Sequence, residues 1–164
     1  MDAELIKDIE SLSKGTMIVF DGFCGSGKTS LAQIVSIKLN IQHIDTDCYI
    51  IKQSDTEPYL SLLDIEHLKE IVKTFTKRKR SLLFSGICAQ DTLKLLGVNP
   101  DYRVYVKQIS SSGLWHAGLH IEDFKNGEEP SGYYQRQPHK SDMEYHIKYE
   151  PQNNADFVNE QVRD

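Results

Sequence analysis

The residues best placed for chemistry are Gly22-Phe23-Cys24-Gly25-Ser26-Gly27-Lys28-Thr29, which satisfy the spacing G-x-x-x-x-G-K-[ST]. Glycines at these intervals let successive backbone N–H groups turn into one concavity that closes around phosphate oxygens. A helix beginning near Lys28 would add the positive end of its dipole. Lys28 would then reach the β- and γ-phosphates of a nucleoside triphosphate, and the Thr29 hydroxyl would bind Mg²⁺. Gly22, Phe23, Cys24, Gly25, Ser26, Gly27, Lys28, Thr29 and Ser30 are therefore the candidate nucleotide-binding residues, with Ser30 supporting the first helical turn. Cys24 lies inside the loop, but no histidine stands near it in sequence to activate a thiolate.

Asp45-Thr46-Asp47 is the next candidate. Ligands of open α/β sheets gather at the carboxyl ends of the strands, and residues two apart on extended backbone share a face. Both carboxylates are thus expected beside the glycine loop. Asp45, with Thr29, would hold Mg²⁺ directly or through water, and Asp47 would orient or deprotonate an acceptor hydroxyl. The two could exchange roles, and a plain turn cap is the competing use.

The elements that must position these groups follow from periodicity. Leu5, Ile6, Ile9 and Leu12 predict an amphipathic leading helix. Residues 16–20, 41–44, 81–84 and 102–106 read as short buried strands, with a last one over 155–158. Leu31, Ile34, Val35 and Leu39 put a helix over 28–39, capped by Asn40. The apolar positions from Leu62 to Phe75 predict one long helix, and residues 90–96 a short one. The basic run Lys77-Arg78-Lys79-Arg80 suits a helix C-terminus better than a nucleic-acid patch. Residues 107–130 are polar and dotted with glycine, which reads as a mobile lid; residues 133–149 contain a further helix. Strands that are apolar throughout and alternate with helices mean a parallel sheet covered on both faces. The 164 residues make one domain, 1–164.

Composition narrows the partners. A net charge of -5 gives no long-range attraction to nucleic acid or anionic lipid, so any anion must be held locally. No apolar run approaches the ~20 residues that span a bilayer, and the N-terminus does not read as a signal peptide. Three cysteines without a CxxC pair indicate neither a zinc site nor a disulfide framework, so a reduced, cytoplasmic setting is expected. A homo-oligomer is compatible with all of this. His116 and His120 have the spacing of a metal pair, but the flanking Gly113 and Gly118 argue against a helix there. Trp115 reads as packing, His43 as a structural histidine, and Tyr49 as either core or acceptor pocket.

With these residues in hand, the chain resembles the small-molecule P-loop kinases, and among them the uridine kinase-like group. The stretch IVFDGFCGSGKTSLAQ is similar to that group's strand–loop–helix opening, and HIDTDCYI to its acid-plus-aromatic segment. LLFSGIC stands where the group has a strand ending in Glu-Gly, and YHIKYEPQNNADFV resembles its closing helix, proline and final strand. The Asp45-Thr46-Asp47 segment is also similar to shikimate and gluconate kinases. The resemblance implies an α/β P-loop kinase fold, with a mostly parallel five-stranded sheet and helices on both faces. It further implies ATP with Mg²⁺ as donor and a small-molecule hydroxyl, a nucleoside above all, as acceptor. Two departures stand out. Ser85 replaces the acid before glycine, and residues 107–135 carry none of the arginines that clamp transferring phosphates, which leaves Arg136 as the candidate. These departures favour the rival reading, a nucleotide-binding ATPase or switch without a small-molecule acceptor.

Overall fold

Every residue of the run Met17–Asp21 is buried, as is every residue of Leu82–Ser85, which is why neither shows the alternation of a half-exposed strand. In a computed structural model that describes residues 3–163, the side chain of Tyr133 excepted, these runs are the middle of one sheet. The strands are β1 (Met17–Asp21), β2 (Gln42–Asp45), β3 (Leu82–Ser85), β4 (Tyr102–Ile109) and β5 (Phe157–Val162). Their order is β2-β3-β1-β4-β5, and every pairing is parallel. Parallel neighbours need crossover connections, and α2 (Lys28–Leu39), α3 (Ile65–Lys77), α4 (Ala89–Leu96), α5 (Gly118–Lys125) and α6 (His139–Tyr149) supply them, whereas α1 (Ala3–Ser11) precedes β1. The expected α/β architecture, with a parallel five-stranded sheet and helices on both faces, is present.

Two cores flank the sheet. Leu5, Ile6 and Ile9 of α1 join Leu31, Ala32 and Val35 of α2 against Ile18, Phe20 and Val104. Leu68 and Val72 of α3 join Leu93 and Leu96 of α4 against Val19, Ile44 and Phe84. Asn40 ends α2 in the left-handed conformation, with its N–H donated to the Ser36 carbonyl. Lys77 closes α3, where cations complement the helix dipole.

Three differences from expectation have local causes. The helix expected from Leu62 begins only at Ile65, because Asp64 caps it by accepting from the His67 N–H at 3.0 Å. Leu62 instead ends a separate 3₁₀ turn, Tyr59–Leu62. The polar segment 107–130 is not unstructured. Its first three residues extend β4 against β5, and residues 118–125 form α5, whose Ile121 is buried with Ala117, Phe23 and Met143. His116 precedes α5 while His120 lies on it, stacked on Tyr134 at 4.2 Å, and no metal cluster forms among the described residues. Trp115 packs edge-on against Tyr105, as a packing residue should.

Candidate active site

The glycine loop leaves the carboxyl end of β1 and enters α2 at Lys28. Gly27 has φ +91° and Gly25 φ +80°, conformations that favour glycine. A side chain at Gly22 would also collide with the Val106 carbonyl, 2.5 Å from where its Cβ would stand. The first amides of α2 have no acceptor within the helix. Lys28 is only 7% exposed, and its ammonium group finds nothing but the Phe23 carbonyl at 3.4 Å. Among the described residues no carboxylate pairs with it. A buried cation beside unsatisfied amides is a site built for an anion that the chain itself does not provide.

The first half of the loop is held from below by two buried acids. Asp21, 4% exposed, accepts from the Gly22 N–H at 2.7 Å and from the Tyr145 hydroxyl. Asp142 of α6 accepts from the Cys24 N–H at 2.7 Å and lies 3.2 Å from Nδ1 of His146. The other ring nitrogen of His146 is 2.9 Å from the Tyr105 hydroxyl. Burial pushes Asp21 up to about 6, against the opposing pull of His146 and Tyr145. Burial alone would depress His146, but its hydrogen bond and charge attraction to Asp142 carry it above its ordinary value. Burial likewise raises the Cys24 thiol, with Lys28 opposing, so Cys24 is no ready nucleophile.

Asp21 therefore makes a pH-dependent contribution. The unfolded chain releases this proton near 3.8, whereas the native state holds it to about 6. Native stability thus falls as pH rises through that window, by roughly 3 kcal/mol at most. The melting temperature of Asp21→Asn relative to the parent is expected to climb from pH 4 to pH 6.5. A difference that stays flat would show that Asp21 is ionised throughout.

The acids at 45 and 47 do not share a strand face as expected. β2 ends at Asp45, and Thr46–Tyr49 is a 3₁₀ turn. Asp45 caps that turn, accepting from the Asp47 N–H at 3.2 Å, and burial raises its carboxyl. Asp47 turns outward, and its Oδ1 accepts from the Tyr59 hydroxyl at 2.8 Å. Thr46, fully buried, is 2.6 Å from the same hydroxyl. Gly86 makes this turn possible, since a Cβ there would stand 1.9 Å from Oγ1 of Thr46. Gly86→Ala is accordingly expected to cost about 1–3 kcal/mol by overpacking and to displace Asp47, read as a lower denaturation midpoint; an unchanged midpoint would contradict the packing. Ser85, the position of the missing acid, is buried and lies 2.8 Å from Nε2 of His43, so a neutral pair occupies that place.

One cavity of about 550 Å³ joins these parts. Cys24, Gly25, Gly27, Lys28, Thr29 and Ser30 line it from the loop, and Asp47 from the turn. Ile50, Lys52, Gln53, Ser54, Tyr59, Leu62, Ile87 and Pro138 continue the wall, with Arg163. Gly22, Phe23, Ser26 and Asp45 are not in that lining. Phe23 is instead a core residue beneath α5 and α6. Arg136 is exposed in the turn before α6 and does not line the cavity, although Pro138 two residues later does. Reading the sequence missed Asp142, His146 and Arg163. Only the long-range folding of the chain brings them to the loop, and no local spacing announces them.

A parallel sheet of this strand order, a G-x-x-x-x-G-K-[ST] loop at the end of its central strand and an acid after the second strand can be compared with known proteins. A solved structure described as a possible uridine kinase, from Bacillus stearothermophilus, superposes with a TM-score of 0.60 at 18% identity, over 95% of both chains. The chain has the fold of a P-loop kinase. Shikimate kinases of Caldicellulosiruptor saccharolyticus and Caldicellulosiruptor bescii match the chain over 36 residues, at 56% and 50% identity. That stretch is 22% of this chain and spans about a fifth, 21%, of each curated relative. No family model matches the chain.

Proposed function

We propose that the protein transfers the γ-phosphoryl group of ATP to a hydroxyl of a small molecule. The observation that carries this reading is the unpaired, buried Lys28 facing the same cavity as Asp47. Lys28 and the amides of the loop bind the phosphates and offset the charge that spreads over the transferring group. The Tyr59 hydroxyl occupies Oδ1 of Asp47. Oδ2 is then the atom that receives the acceptor's hydroxyl proton while the acceptor oxygen bonds to Pγ and ADP departs. Burial keeps Tyr59 protonated, and so a donor to Asp47.

The oxygen donors here suit Mg²⁺, which takes one or two carboxylates together with substrate phosphates and water. Thr29 would hold it, with Asp45 reaching it through water. When bound, Mg²⁺ supplies charge to the phosphate oxygens. Arg136 remains the phosphate-clamping candidate of this proposal, exposed on the turn before α6.

A neutral nucleoside is the acceptor we favour. Beyond Asp47 the wall is apolar at Ile50, Leu62 and Ile87, with the uncharged polar groups of Gln53 and Ser54. Its one ammonium, Lys52, is held by Glu57 at 2.5 Å, and the unpaired cations of the cavity, Lys28 and Arg163, belong to the glycine loop and its flank beside Gly27 rather than to this wall. Shikimate is the second reading, favoured by the short match to shikimate kinases. Release of ADP from ATP, measured without acceptor, with a nucleoside panel and with shikimate, separates the readings. Turnover that needs a nucleoside supports the first. Turnover that needs shikimate transfers the assignment to the second, and turnover indifferent to acceptor leaves an ATPase.

A further inference from the structure

Among the described residues, one arginine lines the cavity, and it comes from the far end of the chain. The N–H of Arg163 donates to the Ile109 carbonyl at 2.9 Å, which continues the β4–β5 ladder past Val162 and fixes where the side chain starts. Gln161 and Arg163, two apart on this extended backbone, share a face, and both side chains reach the glycine loop. A Cβ on Gly27 would stand 2.8 Å from Oε1 of Gln161 and 3.2 Å from Nη2 of Arg163. No described carboxylate pairs with that guanidinium, although the chain has an excess of acids.

We infer that Arg163 is a donor-phosphate contact, supplying from the end of β5 a guanidinium that the arginine-free segment 107–135 does not. The inference rests on the nucleotide-binding reading of the loop. Gly27 belongs to the run of amides that cradles the α- and β-phosphates, so the guanidinium is beside the phosphates that stay with the leaving nucleotide. The planar fork forms paired, charge-assisted bonds to phosphate oxygens. Those bonds hold the donor in the ground state and strengthen as charge builds on the departing β-phosphate. Gln161 flanks the guanidinium on the same face, and the ladder bond at Ile109 keeps the strand end from swinging away.

The test titrates ADP and inorganic pyrophosphate into the parent protein, Arg163→Met and Arg163→Lys, with melting curves for all three. Pyrophosphate carries the phosphates without a base. Arg163→Met is expected to weaken both probes by about tenfold or more, the size of a lost charged hydrogen bond, with an unchanged melting curve. Arg163→Lys, which keeps the charge but not the fork, is expected to fall between the two. Pyrophosphate affinity within twofold of the parent in Arg163→Met would overturn the inference, whether ADP weakens (a contact to the base) or does not. If the parent itself binds neither probe, the nucleotide-binding reading fails, and this inference with it.

Discussion

Lys28→Ala is expected to leave a folded protein that no longer transfers phosphate. The ammonium is almost fully buried yet makes only the long contact to the Phe23 carbonyl, so its loss removes little that holds the native state. Deleting a charge whose single partner is a carbonyl even relieves some desolvation. The effect on turnover is the opposite. A preorganised donor aimed at developing charge in a water-poor site contributes about 10²–10³-fold, and a lysine spanning two phosphates belongs at the upper end of that range. ADP release and a melting curve, measured on the same preparation, check both halves. A collapsed melt would make Lys28 a structural residue, and undiminished turnover would place the phosphates elsewhere.

Asp47→Asn should preserve nucleotide affinity and lower transfer by about 10²–10⁴-fold, the usual weight of a general base. The amide oxygen can still accept from Tyr59, so the 3₁₀ turn keeps its shape and the substitution isolates the basicity of the group. Asp47 is exposed, and stability should barely move. Single-turnover kinetics with ATP and the best acceptor from the panel read the loss directly. A drop of only a few-fold would reduce Asp47 to a binding residue, and the proton would then leave with solvent.

The glycine loop was legible because its conformation is local: eight consecutive residues carry the glycines that its backbone requires. The cores were legible for a similar reason, since Leu31 and Val35, or Leu68 and Val72, repeat at helical spacing. The placement of Asp45 and Asp47 was not, because it depends on where β2 stops. One residue earlier or later decides whether a carboxylate caps the turn or faces the cavity. The helix over 65–77 was misplaced at its start because Leu62 fits the helical period but buries with the Tyr59 turn, and Asp64 restarts the backbone. Asp142 stands 118 positions after Cys24, and no pattern in either segment forecasts that they meet. The segment 107–130 read as unpacked because the apolar surface that covers α5 belongs partly to Phe23, in the loop itself.

That last arrangement changes how damage to this protein would present. Phe23 is a residue of the glycine loop and at the same time the keystone of a small separate core, with Ala117, Ile121 and Met143 around it. The two large cores on the sheet do not include these residues. Harm done to this small core need not unfold the sheet, but it reaches the loop through a rigid aromatic ring. Substitutions at Ile121 or Met143, remote from any reacting atom, would therefore masquerade as lesions of the active centre. They would yield well-folded protein with poor turnover. A catalogue of inactive variants of this protein would sort by adjacency to Phe23 as much as by distance from the nucleotide.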